Sequence, residues 1–290
     1  MPRRVVIFGS AGQLGLELVR EFGARGYTVI GHTRSKVDIT DPAQVERAIT
    51  GPAAEVVVNA AAYNMVDVAE KEPLAAFQVN ALAVLHMARV CRQLDALLVH
   101  FSTDYVFDGE ARRPYVETDP THPLGAYAVS KLAGELYAQA YLEAPLIIRT
   151  SGVFGPGGTR TARGNFVELM LRLATTGQPI RVVEDHVASP TYAPLLAARS
   201  VDLIEGGHRG LFHAGGGAPI SWYDYASLIF QAAHLSPELR PTNEREYRTA
   251  ARRPQYSALS NARMEGLGLD PMPPLEQAVH EYMRRREGRV

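Results

Sequence analysis

The chain is poor in several features that would each have pointed to a class of protein. It has one cysteine, Cys91, so no disulfide can form within it, and a reducing cytosol suits it. Cys91 falls in an apolar helical pattern with Val84, Leu85 and Ala88, which reads as a buried, inert thiol rather than a nucleophile. Neither sign of charge is in excess: 30 Lys and Arg stand against 31 Asp and Glu. No global field therefore draws nucleic acid or an anionic membrane. No apolar run approaches the ~18 residues of a membrane span. The first strand is expected directly after Met1-Pro2-Arg3-Arg4, leaving no room for a signal peptide, so the expectation is a soluble cytoplasmic protein. Nine histidines are scattered without the spacing of a metal site, and no metal is expected. Internal repeats and low-complexity segments are also lacking. What remains is a chain of 290 residues, 46% hydrophobic and 21% charged, enough for one large domain or two closely packed lobes.

Within that ordinary composition the N-terminus is distinctive. Val5 to Phe8 is a short apolar run of the kind that forms a strand buried on both faces of a parallel sheet. It leads into Gly9-Ser10-Ala11-Gly12-Gln13-Leu14-Gly15, then a helical pattern with Leu14, Leu18, Val19 and Phe22 on one side. Strand, glycine turn and helix are the setting of a dinucleotide site. Gly9 permits the tight turn, Gly12 lets backbone approach a pyrophosphate, and Gly15 lets helix pack on strand. A helix N-terminus then offers free amides to the phosphates. The second strand, Thr28 to Gly31, runs into His32-Thr33-Arg34-Ser35-Lys36, with no acidic residue to bond a ribose 2′-hydroxyl. Arg34 or Lys36 meeting a 2′-phosphate favours NADPH, with NADH left open, and a solvated basic loop is the alternative. In Asp38-Ile39-Thr40-Asp41, Asp41 is a helix cap ahead of Pro42, with Gln44 closing a capping box; Asp38 and Ile39 are left to border an adenine.

The third strand, Glu55 to Asn59, ends in Ala60-Ala61-Ala62-Tyr63, small side chains where open α/β sheets bind ligands. A long amphipathic helix is expected over Pro73 to Leu94; Asn80 within it either holds nearby backbone or is simply exposed. The fourth strand, Ala96 to Phe101, ends in Ser102-Thr103-Asp104, hydroxyls that either face the same cleft or satisfy backbone at a strand end. Between Pro114 and Pro123 an acidic loop bearing Glu117 and Asp119 is expected to cover the site. Then comes Tyr127-Ala128-Val129-Ser130-Lys131, which puts Tyr127 and Lys131 one helical turn apart on one face. A phenol titrates near pH ~10, and a neighbouring ammonium brings it towards working pH. A proton donor tuned in this way suits a carbonyl being reduced, with Thr103 bonding the carbonyl oxygen and Asp104 a sugar hydroxyl.

After a further buried strand, Leu146 to Thr150, no other strand–glycine-turn–helix unit follows. The expected fold is α/β: a Rossmann-type doubly wound parallel sheet with a smaller C-terminal substrate lobe. Residues 1–150 form the NAD(P)-binding part; residues 151–290 are mainly substrate-binding, with about 190–205 returning to the first part. A basic loop with Arg160 and Arg163 either grips a diphosphate or is solvated. Asp185 to Thr191 reads as a loop leading into a helix from Pro194 to Ile204. His213 reads as a strand histidine with a satisfied partner, and Ser221 as the cap of a helix holding Trp222 and Tyr225. The arginines ending the helix Leu275 to Arg286 suit its dipole without needing partners.

The glycine turn, "VVNAAAYNMVDVAEKEP", "FSTDYVFDG", the Tyr127-Lys131 helix, "IIRTSGVFG", "ASPTYA" and "RRPQYSALSN" together resemble the extended short-chain dehydrogenase/reductases over nearly the whole chain. The resemblance implies an enzyme that uses NAD(P)H to reduce the 4-keto group of a deoxysugar nucleotide, as in dTDP-rhamnose synthesis. It places Gly12, Gln13 and Leu14 at the pyrophosphate, Asp38 and Ile39 beside the adenine, and Ala61, Ala62 and Tyr63 along the cofactor. It makes Thr103 the oxyanion donor, Tyr127 the proton donor and Lys131 the ligand of the nicotinamide ribose, with Asp104 touching the sugar. Gly152 stands where the family has a tryptophan packed on the sugar nucleotide; Asp185-His186 replaces its Asp-Gln, and Ala188 a glycine. These departures bear on which keto sugar is taken rather than on reduction. Some relatives bind magnesium through glutamates at a dimer contact; Glu17 is the one candidate for such a ligand here, and no metal is assigned. Two alternatives stay open: another nucleotide-linked keto sugar, or a non-catalytic NADP-binding regulatory subunit like the β subunit of methionine adenosyltransferase. A homodimer also stays open.

Overall fold

Val5, Val6, Ile7 and Phe8 are wholly buried, and so are Val57 and Val58 of the third strand, because both faces of the sheet they form are covered by helices. The computed structural model describes residues 3–160, 164–286 and 288. Arg163 lies outside the described residues. The sheet is six-stranded and parallel, in the order β2-β1-β3-β4-β5-β8. Its strands are β1 (Arg4–Phe8), β2 (Thr28–His32), β3 (Val56–Asn59), β4 (Leu97–Thr103), β5 (Leu146–Thr150) and β8 (Gly210–Ala214). Chain order reverses beside β1, so the connections leaving β1 and β3 go to opposite faces of the sheet and open a crevice at the carboxyl ends of these paired strands.

One face of the sheet is covered by α1 (Gln13–Ala24) and α8 (Ala193–Glu205), whose Leu18, Phe22, Leu196 and Val201 share a core with Val5, Ile7 and Val99. The other is covered by α2 (Pro42–Thr50), α5 (Ala83–Leu94) and α6 (Ala126–Tyr141), packed through Val45, Ile49, Val84, Met87 and Ala138. A separate cluster of Phe154, Tyr192, Tyr225 and Tyr282 joins α7 (Phe166–Ala174), α9 (Trp222–Ala232) and α11 (Leu275–Arg286). Beside it lie a parallel pair, β6 (Ile180–Val183) with β10 (Leu239–Thr242), and an antiparallel pair, β7 (Val187–Ala188) with β9 (Ile220–Ser221). Short helices α3 (Val66–Ala69), α4 (Pro73–Phe77) and α10 (Ala262–Glu265) complete the set.

Several local expectations need correction. The helical run Pro73–Leu94 passes by length and composition as a membrane span, although Gln78, Asn80, His86, Arg89 and Arg92 interrupt any purely apolar stretch. Over half of it, 56%, is buried, which makes it a core helix of this fold. Asp41 caps α2 by accepting from the amides of Ala43 and Gln44, but Gln44 closes no capping box. Its amide instead donates to the Asp41 carboxylate and accepts from the backbone of Asp38. The arginines ending α11 do have partners: Arg285 pairs with Glu281 and Glu17, and Arg286 with Glu168. Cys91 is buried, and burial pushes its thiol up to about 12, as an inert core thiol requires.

Candidate active site

A single cleft of about 1700 Å³ runs along the carboxyl ends of β1 to β5 and on between α7, α9 and the segment 244–253. Its first half is built from backbone. Gly9 has φ +78°, and a Cβ there would lie 2.7 Å from the amide nitrogen of Ala61, so the turn presses directly on the end of β3. Gly15 is placed more tightly still: a Cβ would sit 2.0 Å from the Gly9 carbonyl oxygen. The amides of Gly9 and Ser10 both donate to the His32 carbonyl, which locks the turn against β2. Gly12 is an extended N-cap that gives α1 no side-chain cap, so the first-turn amides face the cleft without a side-chain acceptor. Gly12, Gln13 and Leu14 line the cleft there.

Arg34, Asp38 and Ile39 line the wall beyond β2, whereas Lys36 does not. The Asp38 carboxylate accepts from the amide and hydroxyl of Thr40 at 2.9 and 2.7 Å, which holds it below the usual carboxylate range. Ala61, Ala62 and Tyr63 continue the wall. Tyr63 is held by Asn80, whose amide group accepts from the Tyr63 N–H at 2.9 Å and donates to its carbonyl at 3.0 Å. Asn80 is buried in a π-helical turn, Gln78–Leu82, that interrupts the run from α4 to α5. It also donates to Ser130, whose hydroxyl donates to the carbonyl of Tyr127. The backbone beneath the cofactor wall is thereby tied to the helix that carries the phenol. An asparagine inside an apolar helix was the only sequence signal for this.

Tyr127, Lys131 and Thr103 line the same part of the cleft. Lys131 is buried and donates to the Phe101 carbonyl at 2.5 Å; burial lowers its ammonium to about 8, against the pull of Glu135. The Tyr105 ring stands edge-on to Tyr127 at 6.2 Å. Both readings of Thr103 hold together: its hydroxyl accepts from the Tyr105 amide at the strand end, and it faces the cleft. It donates to Asp104 at 3.1 Å. Asp104 also takes donors from Ser151 at 2.8 Å and Ser257 at 2.6 Å, which lower its pKa, yet burial wins and raises it to about 6.

The second half of the cleft is built from side chains. Gly152 is exposed there with φ +48°, and a Cβ on it would meet the Trp222 ring at 3.3 Å. Phe166, Leu169, Met170 and the buried His186 line the same region. Arg172, Arg245 and Arg248 also line the cleft with no carboxylate partner among the described residues, while Arg252 shares a smaller pocket with Tyr105 and Tyr127. These arginines and Trp222 are not site candidates in the sequence reading; only the density of arginine between 245 and 253 hinted at Arg245 and Arg248. Arg253, by contrast, is held by Asp67 at 2.7 Å, a tie across the cleft.

Some expected residues are elsewhere. The loop from Pro114 to Pro123 lines none of the cleft. Its Glu117 accepts from the His213 amide, Asp119 pairs with Arg113, and Tyr115 stacks on Phe107, so the acidic residues fasten the loop to the far edge of the sheet. His213 is buried and lowered to about 3 by desolvation, with the Tyr115 carbonyl as partner, as a strand histidine should be. Arg160 ends a 3-10 turn, exposed, and is not part of the cleft lining. Glu17 is engaged by Arg20 and Arg285. Among the described residues no cluster of three or more His, Cys, Asp or Glu gathers to hold a metal.

The chain is similar to known proteins over almost its whole length. The family described as RmlD substrate binding domain matches residues 3–287. A dTDP-4-dehydrorhamnose reductase of Mycobacterium tuberculosis H37Rv is 40% identical over 275 residues, covering 93% of this chain and 88% of that protein. The spore coat polysaccharide biosynthesis protein SpsK of Bacillus subtilis is 37% identical over 284 residues, covering 98% of each. Among solved structures, a dTDP-4-dehydrorhamnose reductase of Bacillus anthracis in complex with NADP superposes with a TM-score of 0.93 at 32% identity, covering 98% of this chain and 100% of that one. The chain belongs to the dTDP-4-dehydrorhamnose reductase family of the extended short-chain dehydrogenase/reductases.

Proposed function

We propose that the protein is a cytoplasmic enzyme that reduces the 4-keto group of a deoxysugar nucleotide with NADPH, converting dTDP-4-dehydrorhamnose to dTDP-rhamnose. The observation that carries this is the meeting of Tyr127, Lys131 and Thr103 in one cleft with the glycine turn. The first half of that cleft suits a dinucleotide: uncapped amides at the start of α1 for the pyrophosphate, Asp38 and Ile39 for the adenosine, Arg34 for a 2′-phosphate. Arg34 in place of a carboxylate is what favours NADPH over NADH. When bound there, NADPH supplies the hydride that the ketone carbon receives.

The chain's own groups then handle the oxygen. Tyr127 gives its phenolic proton to the oxygen as the C=O bond becomes CH–OH. The Lys131 ammonium, one turn away and buried, steadies the charge left on the phenol and binds the nicotinamide ribose. Thr103 reaches the same oxygen by rotating its hydroxyl away from Asp104, adding a donor whose bond strengthens as charge grows. Arg172, Arg245 and Arg248, which have no carboxylate partner among the described residues, suit a diphosphate. On this reading residues 1–150 mainly serve the cofactor and 151–290 the sugar nucleotide.

Gly152 favours one variation, a differently substituted keto sugar on the nucleotide, since the wall at that point carries no side chain of residue 152 and presents the Trp222 ring instead. A purely regulatory role would leave the Thr103–Tyr127–Lys131 grouping without a use. The deciding experiment supplies a panel of nucleotide-linked keto sugars with NADPH or NADH and identifies each product. NADPH-dependent formation of dTDP-rhamnose is expected, and turnover confined to another sugar would replace the substrate assignment.

A further inference from the structure

The second half of the cleft contains the chain's single tryptophan, and its placement has a specific use. Trp222 is the first residue of α9, fixed there by its amide donating to the His186 carbonyl and by the Ser221 cap on the Asp224 amide. Its indole is braced on one side by Phe166, edge-on at 4.7 Å, and by Tyr225 at 6.0 Å. It is neither buried nor fully exposed, and it lines the cleft. The outer rim of the ring, Cη2, lies over Gly152: a Cβ on that glycine would approach it to 3.3 Å. Any side chain at 152 would therefore press on the indole, and the left-handed backbone there already disfavours one. The missing side chain and the ring are two parts of one surface.

That surface lies close to the reacting oxygen. Gly152 is two residues beyond Thr150, and Thr150 is paired in register with Thr103 across β5 and β4. Arg245 and Arg248, without a carboxylate partner among the described residues, belong to a different segment of the wall. A ligand with its diphosphate on those arginines and its ketone at Thr103 would have the sugar ring, not the base, beside Gly152. A braced aromatic ring at that position has the chemistry to pack on the C–H face of a pyranose, an apolar surface that hydrogen-bond donors cannot read.

We infer that Trp222, seated over Gly152, is the platform on which the pyranose ring of the substrate stacks, and so a determinant of sugar specificity. This rests on the sugar-nucleotide reading above. With only one indole in the chain, its fluorescence reports on this contact alone. The test titrates the NADP-loaded protein with dTDP-rhamnose and, separately, with dTDP, following indole emission while calorimetry measures binding. A saturable change with dTDP-rhamnose and none with dTDP is the expected result. Calorimetric binding of dTDP-rhamnose without a change in emission, or an equal change with dTDP, overturns the inference and leaves the sugar-nucleotide reading standing. No binding of dTDP-rhamnose at all removes both. In steady-state assays Trp222→Ala should raise KM for the keto-sugar nucleotide about tenfold, with Trp222→Phe recovering most of it and KM for NADPH unchanged in both. A KM for sugar nucleotide that is unaltered in a folded Trp222→Ala protein would also overturn it.

Discussion

The two halves of the cleft are built by different means. The half proposed for the cofactor is shaped mainly by main chain: the Gly9 turn, the uncapped start of α1, and the alanines after β3. The half proposed for the substrate is lined by side chains from separate segments: Phe166 on α7, His186 before β7, Trp222 on α9, and Arg245 and Arg248. A surface made of backbone needs particular local conformations, and these need particular residues in a contiguous stretch. A surface made of side chains needs only that distant segments converge, which the fold arranges and local sequence does not record.

The comparison can be broken most sharply where the halves meet. Tyr127→Phe should lower kcat by about a thousandfold while leaving the dissociation constant for NADPH within twofold, because the phenol acts on the oxygen and not on the cofactor. Stopped-flow hydride transfer and a cofactor-binding titration check the two parts separately. Gly15→Ala should act on the cofactor half alone. With a Cβ 2.0 Å from the Gly9 carbonyl the turn must shift, and thermal unfolding should fall along with cofactor affinity. An unchanged melting temperature and cofactor Kd would contradict the tight closure of the turn. Arg34→Ala should cost about ten- to a hundredfold in preference for NADPH over NADH, with kcat nearly unaffected. The kcat/KM ratio for the two cofactors measures it.

The smallest effect is on pH dependence. The Lys131 ammonium is lowered to about 8 in the protein, so the free enzyme loses that charge as pH rises through 8. kcat/KM for NADPH should decline above that pH, and Lys131→Arg should move the decline upward. Stability responds in the opposite sense: between about 8 and the ordinary lysine range the unfolded chain holds the extra proton, so this group makes folding more favourable as pH rises. For Asp104 the sign is reversed. Its raised pKa, about 6, means the folded chain holds a proton that the unfolded chain has lost, so its contribution weakens as pH climbs from the usual carboxylate range through 6.

How much of this was legible in the sequence follows from the same distinction. The strand–turn–helix start, the strand ends at Ala61 and Thr103, and the Tyr127–Lys131 helix were readable because periodicity and glycine placement are local signals. Asn80 was visible as an oddity in a helix, but its hold on Tyr63, seventeen positions away, was not. The loop bearing Glu117 and Asp119 was misplaced, because composition marks a loop without saying which edge it fastens to. Trp222 looked like one more aromatic residue on an amphipathic helix, since nothing in its neighbourhood records that Gly152 lies beneath it.

The most direct measurement follows the hydride itself. Enzyme is supplied with dTDP-4-dehydrorhamnose and NADPH carrying deuterium at both C4 positions of the nicotinamide, and the product is read by NMR. Deuterium at C4 of a dTDP-rhamnose product, formed by the wild type and lost with Tyr127→Phe, is the predicted result. A product without that label, or label transfer at full rate in the Tyr127→Phe protein, would contradict the account.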